Sequence, residues 1–139
     1  MANSYPLDVV TPERVMLSES VTQTIAPGSE GQMGILAHHA PLMTALAPGE
    51  VLVTLADGRT TAHIVISGGF LEVSAADGGR TTILADRAER ADEIDVTRAE
   101  ADLEAARRML AEADAGSSQY HEARLAVADA ETRVRVGRT

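Results

Sequence analysis

The sequence predicts an α+β chain in two parts: an N-terminal antiparallel β-sandwich over residues 1–86 and a C-terminal antiparallel two-helix hairpin over residues 87–139. Three observations predict it. Composition breaks near Arg87: residues 1–86 hold all five prolines, nine of the eleven glycines and only 12 charged residues, whereas residues 87–139 hold 21. Hydrophobic residues repeat every second position before the break and every three or four after it. Turn dipeptides punctuate the first part at short intervals with no helical run between them, which favours an antiparallel sandwich over a parallel α/β sheet.

Taken in order, Val21, Gln23 and Ile25 alternate, then Val51, Val53 and Leu55, then Ala62, Ile64 and Ile66, the period of half-buried strands. Asp57-Gly58 and Asp77-Gly78 stand where hairpins need positive φ, and Pro27-Gly28, Pro48-Gly49 and Gly68-Gly69 mark further turns or bulges. The run from Gly28 to Gly34 superficially resembles a phosphate cradle. It carries Glu30, leads into strand-like Ile35-Leu36 and has no helix behind it, so it reads as a loop with unusual backbone angles.

In the second part Val96, Ala99, Leu103, Ala106, Leu110 and Ala113 form one helical stripe, with Asp92 as the expected N-cap. Gly116-Ser117-Ser118 breaks the run, and Ser118 is the expected cap of a second helix whose stripe is Tyr120, Ala123, Val127, Ala130 and Val134. Alanine fills half of this seam and buries far less area than leucine at ~25 cal/mol per Å2. A weakly held hairpin with more than one arrangement is the consequence.

The remaining composition excludes whole classes of function. The formal charge of -9 and pI of 4.8 argue against nucleic acid and against an anionic membrane surface. With no cysteine and no lysine, disulfides, thiolate metal sites, Walker loops and Schiff bases are ruled out by residue type. Tyr5, Tyr120 and Phe70 are the only aromatic residues, too few for stacking platforms. No run approaches the ~18 apolar residues of a membrane span, and the start, from Met1 to Pro6, lacks a secretory pattern, so the expectation is a cytosolic-side chain without membrane insertion.

No catalytic residue and no metal site are expected. Adjacent His38 and His39 point oppositely in an extended segment, so they suit structure or partner contact better than metal. On the hairpin, Asp95 with Arg98, Arg98 with Asp102, and Glu104 with Arg108 have the spacing of solvating ion pairs, although the Arg98 guanidinium also suits a phosphate. Arg133, Arg135 and Arg138 form a basic cluster that reads either as a solvated tail or as a docking element for an acidic partner.

The ordered series Leu7-Asp8-Val9-Val10-Thr11-Pro12-Glu13, Gly28 to Leu36, His39-Ala40-Pro41-Leu42, Leu46-Ala47-Pro48-Gly49, Ser67 to Val73 and Ile83 to Ala88 resembles the epsilon subunits of bacterial F-type ATP synthases over essentially the whole chain. The resemblance implies a noncatalytic rotor subunit at the foot of the central stalk. Its sandwich would contact the gamma subunit and the c ring, with Glu30, Gln32, His38 and His39 at the rotor interface. Its hairpin would transiently contact the alpha/beta catalytic head and restrain ATP hydrolysis, at the cytoplasmic face of the bacterial plasma (inner) membrane. Gln32 departs from the acid common in relatives, and His38 stands where glycine is common. Ile94-Asp95-Val96-Thr97-Arg98-Ala99 matches the family's nucleotide-associated motif, so Asp95, Arg98 and Ala99, with Arg124 from the second helix, inherit a role toward regulatory ATP; no cofactor is otherwise required. The rival readings are a small ATP-sensing regulatory domain and an unrelated sandwich enzyme.

Overall fold

The computed structural model describes residues 3–139; Met1 and Ala2, which belong to the N-terminal stretch read above, lie outside the described residues. The chain divides into two compact units, one ending at Arg90 and the other Ala91–Thr139. Among the described residues the first holds nine strands: β1 Tyr5–Val10, β2 Val15–Gly28, β3 Gly31–Leu36, β4 Leu42–Leu46, β5 Gly49–Leu55, β6 Thr61–Ile66, β7 Gly69–Val73, β8 Thr81–Ala85 and β9 Ala88–Arg90.

One layer runs β1-β8-β7-β4 and the other β3-β2-β5-β6-β9. The long β2 serves both, because its first half pairs with β1 from Val15 to Val21 and its second half with β5 and β3 from Val21 onward. The pairing is antiparallel except between β1 and β8, which run parallel from Leu7↔Thr81 to Val10↔Leu84. That departure from an all-antiparallel sheet is affordable because the chain between the two strands is long enough for any crossover.

The expected alternation Val21, Gln23, Ile25 does not survive. The register of β2 against β5 slips between Val21 and Gln23, and the buried residues become Val21, Thr24 and Ala26, with Ile25 only half-buried. One extra residue in a strand reverses the faces of everything after it. The hydroxyl of Thr22, at the bulge, donates to the carbonyls of Thr54 and Leu55.

The run from Gly28 to Gly34 is likewise mostly strand: β2 continues to Gly28, Ser29-Glu30 turn, and β3 starts at Gly31. Gly28 is required by space, since a Cβ there would lie 2.5 Å from the Gly31 carbonyl oxygen.

The core is aliphatic, with Leu7, Val9, Val21, Val51, Val53, Ile64, Ile66, Leu71 and Ile83 all fully buried. Besides Thr81, whose hydroxyl donates to the Gly79 carbonyl at 3.2 Å, the buried side chains include one polar chain that crosses strands. The Tyr5 hydroxyl donates to the Ile35 carbonyl at 2.9 Å and, its single proton spent there, accepts from the buried Thr24 hydroxyl at 2.7 Å. Three strands are thereby tied inside the core, each buried polar atom having a partner. Near the opposite end of β1, Asp8 accepts from Ser18 at 2.7 Å and from Arg80 at 2.6 Å. The Ser18 hydrogen bond, helped by Arg80 and opposed by partial burial, holds the Asp8 carboxyl below the usual carboxylate range.

The sandwich unit ends at Arg90 rather than residue 86. β9 pairs with β6 from Ile64↔Arg90 to Ile66↔Ala88, and the Arg90 guanidinium donates to the Met16 carbonyl at 2.9 Å. Three residues, two of them charged, are too few to show a strand period.

The second unit opens with a single 3-10 turn, Ala91–Glu93, followed by α1 Val96–Glu112 and α2 Ser118–Gly137. The turn displaces the expected cap from Asp92 to Asp95, whose side chain accepts from the Arg98 amide at 3.0 Å. In α2 the cap is Ser117, not Ser118, and it accepts from the Tyr120 amide at 3.1 Å. The seam follows the expected stripe: Ala99, Ala106, Ala123, Ala130 and Val134 are buried. Val136 is buried as well and lay outside the predicted stripe.

At neutral pH Tyr5→Phe should lower sandwich stability by about 1–2 kcal/mol, because the Ile35 carbonyl loses its donor inside the core. Burial pushes the Tyr5 phenol above its ordinary range, with the Thr24 hydrogen bond working against the shift. The contribution tied to this raised pKa is therefore complete below the unfolded tyrosine value of about 10 and is lost as pH rises through the folded value. Urea titrations across alkaline pH should show this loss in the parent chain and a smaller one in Tyr5→Phe.

Candidate functional site

The residues expected at the rotor interface occupy the two ends of one strand. Glu30 lies in the exposed turn between β2 and β3 and Gln32 is exposed just inside β3, whereas His38 and His39 follow its far end. Six residues at ~3.3 Å each separate the ends by on the order of 20 Å, so the four do not converge.

His38 has φ 65, the left-handed conformation, in the turn closed by the His39 amide on the Leu36 carbonyl at 3.3 Å. It therefore keeps a backbone that glycine tolerates better. His39 Nδ1 lies 2.8 Å from the Ala40 carbonyl oxygen, which fixes the ring locally. Among the described residues no group of three or more His, Asp or Glu is placed to hold a metal ion.

A surface the sequence did not disclose lies on the outer side of the β1-β8-β7-β4 layer. The register sets Ala45 opposite Phe70, Phe70 opposite Leu84, and Leu84 opposite Val10, one apolar row across four strands. Phe70 and Leu84 are each 56% exposed and Met43, beside the row, 68%. Only strand order makes the row visible, because its members are scattered from residue 10 to residue 84 along the chain. Contiguous exposed apolar side chains rimmed by Asp8 and Glu72 have the character of a protein contact.

On the hairpin the nucleotide-associated residues are divided. Asp95 is committed to the cap of α1, and Ala99 is fully buried in the seam. Arg98 is exposed, and the expected pair with Asp102 is not made: Asp102 accepts from Arg133 at 3.3 Å instead. Among the described residues no carboxylate engages the Arg98 guanidinium. Arg124 is exposed on the early part of α2, whereas Arg133 and Arg138 reach Asp102 and Glu100 near the start of α1. By that antiparallel register Arg124 stands on the order of 20 Å along the hairpin from Arg98, and the two do not form one site.

The arginine cluster is not a free tail. Arg133 belongs to α2 and is only 18% exposed beside Asp102; Arg138 donates to Glu100 at 2.9 Å; Arg135 is exposed on the same helix. Glu104 and Arg108 do form their expected pair, at 3.3 Å. A shallow groove between the helices is bounded by Arg107, Glu131, Arg135 and Arg138.

A strand sandwich followed by a short helical hairpin is also the division of the known proteins this chain matches. Residues 4–91 match the family described as ATP synthase, Delta/Epsilon chain, beta-sandwich domain, and residues 92–137 its long alpha-helix domain. The chain belongs to the ATP synthase delta/epsilon family. The ATP synthase epsilon chain of Desulforamulus reducens is 42% identical over 135 residues, covering 97% of this chain and 98% of that one. That of Carboxydothermus hydrogenoformans is 50% identical over 111 residues, 80% of this chain and 79% of its own. A chain in the Euglena gracilis mitochondrial ATP synthase, solved as OSCP/F1/c-ring in rotational state 1, aligns with TM-score 0.82 at 28% identity over 98% of this chain and 82% of that one. A chain of the Tetrahymena thermophila mitochondrial central stalk/c-ring, at 13% identity and TM-score 0.63, shares the fold.

The left-handed backbone at His38 yields a test. His38→Gly should raise stability by roughly 0.5–1 kcal/mol, since relief of the strained φ outweighs the flexibility glycine adds to the unfolded chain, whereas His38→Val should lower it. Chemical denaturation of the two variants checks the opposite signs.

Proposed function

We propose that this chain is a noncatalytic rotor subunit of the central stalk of a proton-translocating F-type ATP synthase, with its sandwich as the docking unit and its hairpin as a regulator of ATP hydrolysis. The observation that carries the reading is the exposed apolar row Ala45, Phe70, Leu84 and Val10 on a unit that matches the family along its whole length. We assign that row to the gamma subunit, because a rigid sheet face presenting one aromatic anchor is what a permanent subunit contact needs. The polar turn at Glu30 and Gln32, separated from the row, suits the c ring.

Chemistry in such an assembly belongs to the alpha and beta subunits, and the hairpin acts on it by where it rests. Its alanine seam suits an element whose arrangements differ by only a few kcal/mol. Transient contact with the alpha/beta head would use Arg133, Arg135 and Arg138 against an acidic surface. No helix of the described residues is long and apolar enough to cross a membrane, so attachment to the cytoplasmic face of the bacterial inner membrane would run through the partner subunits.

In an alpha, beta and gamma subcomplex, full-length chain should bind and lower ATP hydrolysis. A chain ending at Arg90 should bind gamma without lowering the rate, and full-length Phe70→Glu should do neither. Gamma binding undiminished by Phe70→Glu would remove the assigned face; no gamma binding by any form would remove the rotor reading.

Regulation by ATP is a second reading, favoured by Arg98 alone: it is exposed while the carboxylates on either side are engaged elsewhere. Isothermal titration should show saturable ATP binding that Arg98→Ala abolishes and Arg124→Ala leaves intact.

A further inference from the structure

The end of α2 packs closely against the start of the second unit, at Ile94 and Val96. Val136 and Ala99 are fully buried and Ile94 is 8% exposed, while most of the remaining seam is alanine and half-buried residues. Gly137 makes the approach available: a Cβ at that position would lie 2.8 Å from Val96 Cγ2 and 2.9 Å from Ile94 Cγ2. The residue is helical, the last of α2, so glycine stands there for space and not for an unusual backbone. Ion pairs flank it, Arg138 with Glu100 at 2.9 Å and Arg133 with Asp102 at 3.3 Å. A third, Arg107 with Glu131, is looser at 3.8 Å and lies further toward the turn.

We propose that Gly137, seated against Ile94 and Val96 and flanked by the Arg138–Glu100 pair, is a steric latch that keeps the hairpin paired, and that opening starts there. Releasing it frees Arg133 and Arg138 from the carboxylates of α1 and in the same movement uncovers Ile94 and Ala99, the buried residues on either side of the already exposed Asp95 and Arg98. One event thus releases the basic residues offered to an acidic partner and loosens the packing that anchors the nucleotide-associated segment. The regulatory meaning of the latch rests on the rotor reading above; its existence is a property of the isolated chain and is tested without partners.

The sign of one substitution decides it. Helix propensity alone favours alanine, so without the latch Gly137→Ala should leave amide exchange at the end of α2 equal or slower. The latch requires the reverse, because the added methyl has no room while Ile94 and Val96 stay seated. Amide hydrogen exchange on the full-length chain should show Gly137→Ala accelerating exchange about ten-fold in the last two turns of α2 and the first turn of α1, with core sandwich amides such as Val53 and Ile64 unchanged. Glu100→Gln should accelerate the same amides about two-fold, and added salt should accelerate them in the parent chain more than in Glu100→Gln.

Equal or slower exchange in Gly137→Ala overturns the latch, and so does acceleration that extends to the sandwich core, which would mark a general loss of stability. Failure of gamma binding in the subcomplex experiment would leave these exchange rates untouched, so the two proposals fail separately.

Discussion

Strand β2 has to serve two layers, and the extra residue at Thr22 lets it do so. Before the bulge Val21 faces the core; after it Thr24 and Ala26 do. With the faces exchanged, the second half of β2 joins β5 and β3 while the first half stays with β1. The buried Tyr5–Thr24–Ile35 hydrogen bonds then fasten the three strands at that crossing. A polar chain in an otherwise aliphatic core disfavours any register that would leave it unpaired. The pairing of β1 with β8, and through it the outward row of Phe70 and Leu84, follows from where β1 is held.

The hairpin is built on the opposite principle. About half of its seam is alanine, its caps are local, and its interhelical ion pairs Arg138–Glu100 and Arg107–Glu131 lie on the surface, where each is worth at most about 1 kcal/mol. The sandwich presents one fixed face, whereas the hairpin is an element whose pairing is weak enough for partners or ligands to alter. Under the proposed rotor function this would separate the docking surface from the adjustable one.

Much of the fold was legible in the sequence because the two hydrophobic periods differ and turn residues mark their boundaries. What escaped did so for physical reasons. The bulge at Thr22 leaves no mark in a pattern of apolar residues, since Val21, Gln23 and Ile25 alternate on paper whichever face they take. β9 is too short and too charged to show a period. The caps moved by one to three residues because acidic and serine residues cluster at both helix starts and only the backbone selects among them.

The candidate sites were legible in part. The structure adds a left-handed backbone at His38 and an exposed side chain at Arg98, neither of which residue type alone reveals. The grouping of Arg124 with Arg98 fails because helix register, which residue types do not reveal, puts them far apart. The apolar row was invisible for a related reason: its members meet only through sheet order.

The central claim, a firmly held sandwich beside a weakly held hairpin, is tested most directly by following denaturation with two probes in one full-length chain. Tyr120→Phe leaves Tyr5 as the only tyrosine, so its near-ultraviolet signal reports the sandwich while helical ellipticity reports the hairpin. The helical signal should be lost at lower denaturant than the Tyr5 signal, in two resolved transitions. Coincident transitions would show a single cooperative unit and contradict the account.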